Sequence, residues 1–153
     1  MDIPFSIALL KAGNAQSHRM RPQLAELGLS VGQPRLLAYL RRHDGCMQKE
    51  LAAFCGVEAA TISRMLAAME RQGMIRRELA AGNKRAAAVF LTEEGRRLSG
   101  LVLDIRGRVE AQGLEGFSPR EQELFYQFLT RYRDNLMGAA GERPSPAEEL
   151  RSV

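Results

Sequence analysis

Residues 49–77 read KELAAFCGVEAATISRMLAAMERQGMIRR, and two glycines divide the stretch into recognisable elements. A short helix, QKELAAFC, begins at Gln48 and stops at Gly56, about two turns long. Past the tight turn at Gly56-Val57, Ile62, Met65, Leu66 and Met69 stand at i, i+3, i+4 and i+7, one apolar stripe of a second helix. Thr61, Ser63, Arg64, Ala68 and Arg71 fall largely off that stripe. After Gly73 the period changes to that of strands, Ile75 to Leu79 and Ala87 to Leu91, joined by AAGNKRA with its Gly-Asn turn signal. The hairpin so formed carries Lys84 and Arg85 at its tip. Helix, turn, helix and basic-tipped hairpin, in that order, make a winged helix-turn-helix.

Upstream, Ile3, Ile7, Leu10, Met20, Leu24 and Leu27 recur at helical spacing, predicting a long amphipathic helix with Gly13 as a point where it can bend. Gly28 stops it, and Ser30 is the expected N-cap of a second helix that has Pro34 in its first turn and runs to about His43. Asp44-Gly45 breaks the pattern before Gln48. Downstream, Thr92 is the expected cap of a fifth helix, reaching about Leu114, with Glu93 and Glu94 in its first turn. Ser118-Pro119-Arg120-Glu121 combines a capping box with Pro at the first helical position of a sixth. Its stripe is Leu124, Phe125, Phe128, Leu129, Tyr132 and Leu136. The tail from Gly138 is rich in Gly, Pro and charge, offers no core face, and is expected to be flexible over 139–153. The fold expected is mainly α with a small β-hairpin wing, a winged helix-turn-helix at 31–97 flanked by a helical region from 1–30 and 98–138.

Composition narrows the class further. The 153 residues are 45% hydrophobic and 26% charged, suited to one globular domain. The longest apolar run, Ala86 to Leu91, falls far below the roughly 18 residues of a membrane helix, so no membrane partner is expected. The start MDIPFSIALLK puts an acid where a secretory n-region carries positive charge, and a cytoplasmic protein is expected. Cys46, Cys55, His18 and His43 have neither the number nor the spacing for a disulfide framework or a zinc knuckle, so no metal or other cofactor is expected. Residues 1–47 carry six Lys or Arg against three acids, 48–97 nine against six, and 98–153 seven against nine. The positive field therefore lies over the winged part and the segment before it, as polyanion binding requires.

The second helix of the pair suits a major groove of about 12 Å. Ala59 and Ala60 allow the backbone close approach, Thr61 and Ser63 can donate to phosphates or base edges, and Arg64 can reach guanine. Lys84 and Arg85 sit where a basic tip enters the electronegative minor groove. A bland reading stands beside this one: a Gly turn between two helices occurs in many helical proteins, Arg64 is then a solvated side chain, and hairpin tips are commonly polar.

The runs GLSVGQPRLLAYL, KELAAFCGVEAATISRMLAAMERQGMIRR and NKRAAAVFLTEEG, between Gly28 and Gly95, together resemble the MarR family of bacterial transcriptional regulators. They correspond in order to the family's second helix, its helix-turn-helix, and its wing with the LTxxG helix start. The resemblance implies that Thr61, Ser63 and Arg64 lie on the recognition helix and that Arg85 is the wing arginine. Two positions depart from the pattern. Asn83 stands where the family usually has an acid that pairs with nearby arginines, and Glu58 stands where a Ser, Thr or Asp usually caps the recognition helix.

The resemblance further implies a homodimer, since one module covers too few base pairs and a two-fold pair reads a palindrome. The first, fifth and sixth helices carry more apolar stripe than one small winged domain buries; packing within the monomer is the alternative. Many family members bind small aromatic acids between the dimerisation helices and the DNA-binding lobe. Here His18, Arg21, Tyr39 and His43 are the candidate lining for a small aromatic or anionic effector. Cys55, beside Phe54, reads as a small core residue; Cys46 follows a turn and reads as exposable. Neither occupies the first-helix position of the family's peroxide sensors. The function expected is a repressor that binds palindromic double-stranded DNA and releases it to an effector. The alternatives are a winged protein-interaction module and a small enzyme, the latter without a Gly-rich phosphate loop, Ser-His-Asp set or metal cluster in the sequence, hence with no catalytic residue to name.

Overall fold

The computed structural model describes residues 3–80 and 83–138, without the side chains of 80 and 83–85. Its elements are α1 (Phe5–Glu26), α2 (Gln33–Arg42), β1 (Cys46–Met47), α3 (Gln48–Cys55), α4 (Ala59–Arg71), β2 (Ile75–Ala80), β3 (Asn83–Leu91), α5 (Glu93–Gly113) and α6 (Pro119–Met137). All six expected helices are present, and the hairpin is part of a three-stranded antiparallel sheet in the order β1-β3-β2. The tail expected to be flexible lies outside the described residues. No single helix among those described is long and apolar enough to cross a membrane.

Two details depart from the sequence reading. The third strand, β1, pairs Cys46 with Val89 and Met47 with Ala88. Two residues leave no period to read, and what makes them a strand is their neighbour: Asp44 Oδ1 accepts from Leu91 N–H at 2.8 Å, and Gly45 N–H donates to Val89 O at 2.8 Å. Ser30 does not cap α2, whose N-cap is Gly32. No side chain caps this helix; its first residue, Gln33, instead accepts through Oε1 from Ser30 N–H at 3.0 Å while its Nε2 donates to Gln72 Oε1 at 2.8 Å. A buried amide with partners on both sides thus joins the start of α2 to the end of α4. As expected, α1 is one long helix, and it runs through Gly13.

Of the apolar stripes read from the sequence, that of α4 enters the core. Leu36, Leu37 and Leu40 of α2 meet Leu51 of α3, Ile62, Leu66 and Met69 of α4, Ile75 and Val89 of the sheet, and Leu98 and Val102 of α5. Thr92 and Ser118 cap α5 and α6, accepting from Gly95 and Glu121 N–H. Thr92 also ties the sheet to α5: its N–H donates to Met74 O at 3.1 Å and its Oγ1 to Gly73 O at 2.6 Å. At that crossing a Cβ on Gly95 would lie 1.9 Å from Met74 O, so the LTEEG glycine is required by close approach of helix to backbone.

By contrast α1 and α6 bury no residue within the chain. Phe5 of α1 meets Tyr132 of α6 edge-on at 5.0 Å, and Arg108 of α5 donates to Gln23 of α1 at 3.2 Å. Phe5, Ile7, Leu10, Phe125, Phe128 and Leu136 remain exposed.

Candidate nucleic-acid interface and effector site

The angle between α3 and α4 starts at Gly56, which adopts φ 64° at the end of α3. Its N–H donates to Ala53 O at 3.2 Å and Val57 N–H to Ala52 O at 3.1 Å, a closing pair that a left-handed residue makes possible. Glu58 then precedes α4 in extended conformation without any side-chain capping bond. Its carbonyl accepts from Thr61 and Ile62 N–H, and Ala59 and Ala60 stand exposed on the first turn. A first turn without a side-chain cap leaves amide N–H groups for an outside acceptor such as phosphate.

Ile62, Leu66 and Met69 are fully buried, and Met65 packs partly against the same core. That rotation sets Arg64 outward and exposed, Nη2 donating to Thr61 Oγ1 at 3.4 Å; Thr61 and Ser63 are half-buried beside it. Farther along, Arg77 of β2 donates through Nε to Glu70 of α4 at 3.1 Å. The pairing register of the wing shifts between Leu79 and Ala80, with Leu79 facing Ala87 and Ala80 facing Asn83. Lys84 and Arg85 belong to that stretch of β3; their side chains, and that of Asn83, lie outside the described residues.

The four candidate effector residues separate into two pairs. Tyr39 and His43 stack at 4.3 Å, and the column continues through Phe54, 4.2 Å from Tyr39, to Arg35, 4.9 Å above the Phe54 ring. His18 and Arg21 lie exposed on α1, and no described contact brings them to this column. Sequence reasoning passed over Arg35, Phe54 and above all Arg106 of α5. Arg106 Nη1 is buried without a hydrogen-bond partner among the described residues. Burial pushes this guanidinium below its usual pKa; Glu110 opposes the shift, and the cation of Arg35 adds to it. A half-buried cation with one unused N–H, close enough to Arg35 to feel its charge, can donate a hydrogen bond to an anion. Arg106 and Arg108 look alike in RGR, and only the packed rotation of α5 separates the half-buried one from the exposed one.

Both cysteine thiols are held toward the protonated form. Burial raises the Cys46 thiol to about 11, with Glu50 and Asp44 adding to the rise and a backbone hydrogen bond opposing it. Cys46 is half-buried in β1 instead of open on a turn. Burial also raises Cys55, against the pull of Arg35.

A short helix, a glycine turn, an outward-facing second helix and a hairpin on a three-stranded sheet define a winged helix-turn-helix protein. The MarR family model matches residues 27–86. The transcriptional regulator HosA of Escherichia coli O157:H7 is 33% identical over 116 residues, 76% of this chain and 86% of that protein. The crystal structure of MarR matches with TM-score 0.77 at 29% identity, over 89% of this chain and 92% of that one. A MarR-family regulator from Listeria monocytogenes, solved with a 26mer DNA, shares the fold with TM-score 0.76 at 23% identity, over 94% and 99% of the two chains. This chain belongs to the MarR family.

Proposed function

We propose that this MarR-family transcriptional regulator works as a cytoplasmic homodimeric repressor on a palindromic operator, with residues 31–97 reading DNA and 1–30 with 98–138 making the dimer. The observation that carries the DNA reading is the rotation of α4: its apolar stripe is consumed by the core, which leaves Ala59, Ala60 and Arg64 turned out with Thr61 and Ser63 beside them. In this reading Arg64 meets a guanine edge in the major groove, while Lys84 and Arg85 follow the minor groove. The exposed apolar side chains of α1 and α6 support the dimer. The Listeria protein's DNA complex supports the DNA partner by likeness of fold. For the effector, the column from Arg35 to His43 and the unbonded Nη1 of Arg106 support a small aromatic or other carboxylate, while His18 and Arg21 stand apart on α1.

Selection from random duplex DNA, followed by titrations at several salt concentrations, tests the reading. Arg64→Ala should cost roughly 1–3 kcal/mol and relax preference at one position per half-site. Arg85→Ala should weaken binding to most sequences and flatten the salt dependence. If both leave affinity and salt slope unchanged, the proposed surface is wrong. A winged protein-interaction module, the rival, would show no salt-dependent DNA affinity at all.

A further inference from the structure

Contacts to two grooves at once are useful only if α4 and the wing keep a fixed angle. Along β2, Ile75 enters the core, and the strand's alternation brings Arg77 to the same face, where its Nε reaches Glu70 Oε2 on the last turn of α4. On the opposite face Arg76 lies over the Phe90 ring at 4.4 Å and pairs with Glu78. The first face therefore holds β2 to α4 and the second holds β2 to β3. Among the described residues, Glu70–Arg77 is the one ion pair between α4 and the hairpin. Past Leu79 the register shifts, so no regular ladder carries this alignment on to the tip.

The lever is long. From Arg77 to the turn is about four residues, or roughly 13 Å at the rise of a strand. A tilt of ~10° at the root then moves the tip by roughly 2 Å, enough to take a guanidinium out of hydrogen-bond reach. We propose that Glu70 is a positioning residue for DNA reading: its carboxylate grips Arg77 and sets the angle between the recognition helix and the wing. This rests on the DNA-binding reading above.

The sign of the effect distinguishes positioning from simple charge. Glu70→Gln removes a negative charge beside the proposed DNA surface, which by itself tightens binding to a polyanion. Positioning predicts the reverse: operator affinity falls about two- to fivefold, the range expected for an ion pair of this exposure. The Arg85→Ala penalty should shrink by a similar factor in the Glu70→Gln background, because the misplaced wing has already lost its contact. The swap Glu70→Arg with Arg77→Glu should restore both. Unchanged or tighter binding by Glu70→Gln, or fully independent penalties, overturns the proposal.

Amide hydrogen exchange of the free protein supplies a readout that needs no DNA. The β2–β3 amides should exchange several-fold faster in Glu70→Gln while the helical amides of α2 and α5 keep their rates. Unaltered β2–β3 exchange overturns the brace whatever the titrations give. A parent protein without salt-dependent DNA affinity overturns the DNA reading itself, and the exchange result shows which of the two has failed.

Discussion

Gly95→Ala should be among the most damaging single-methyl additions available in this chain. The new Cβ would stand 1.9 Å from Met74 O and 3.0 Å from Met74 C. A carbon and a carbonyl oxygen settle at roughly 3.3 Å or more, so helix and strand end must part by more than 1 Å. The atom in the way is backbone, which no rotamer change moves. Separation breaks or lengthens the Thr92 N–H bond to Met74 O and the Thr92 Oγ1 bond to Gly73 O. Each such bond contributes about 1 kcal/mol, and overpacking adds roughly 1–3 kcal/mol. The expected loss is about 3–5 kcal/mol, which in a chain of this size lowers Tm by roughly 10 °C. Gly100→Ala is the matched control in the same helix. Its Cβ would meet only Arg41 Nη1 at 3.9 Å, an ordinary contact with a flexible side chain, and replacing a helical glycine should gain about 0.5–1 kcal/mol. Urea denaturation followed by circular dichroism decides, with chain concentration held fixed because a dimer's stability depends on it. A Gly95→Ala protein within about 0.5 kcal/mol of the parent, or a Gly100→Ala protein equally damaged, refutes the close-approach argument.

Light scattering at micromolar concentration should give twice the 17.0 kDa chain mass, and Phe125→Asp with Phe128→Asp should move it towards the monomer; a monomeric parent would remove the dimer from the model of function. A Cys46 thiol near 11 leaves roughly one molecule in three thousand as thiolate at pH 7.5, so alkylation should be slow there and accelerate as pH rises. Peroxide should accordingly release neither the parent nor Cys46→Ser or Cys55→Ser from DNA, and release in the parent that a serine variant abolishes would contradict this. A small aromatic carboxylate that fits the Arg106 site should raise the parent's Tm, by the equivalent of about 2.7 kcal/mol at a hundred times Kd, and leave Arg106→Gln unmoved. An equal rise in both proteins would place the ligand elsewhere.

The elements legible in the sequence were those with a period long enough to count. The stripe from Ile62 to Met69 predicts which side of α4 is buried, and therefore that Arg64 faces out. Thr92 and Ser118-Pro119 mark the starts of α5 and α6 because capping is a local act, completed within three residues. Asp44-Gly45 reads as a simple breaker, since its partners Leu91 and Val89 lie more than forty positions away. A similar distance hides β1, and it hides Gln72, which holds the far end of the Gln33 amide that accepts from Ser30 N–H.

Side-chain chemistry alone named His18, Arg21, Tyr39 and His43 as a group, yet only the α2 pair shares a surface. Beside that pair stand Phe54 from α3 and Arg35 from α2, and Arg35 is near enough to Arg106 of α5 for its charge to be felt there. Periodicity tells which face of a helix is apolar; it does not tell which neighbour a polar face meets. The sequence by itself determined the helix order, the glycine turn, the core stripe and the outward Arg64, because these follow from spacing within one element. Packing between elements decided the third strand, the close approach at Gly95, the Glu70–Arg77 ion pair and the half-buried Arg106, since each depends on how one element is rotated against another, which spacing within a single element does not set.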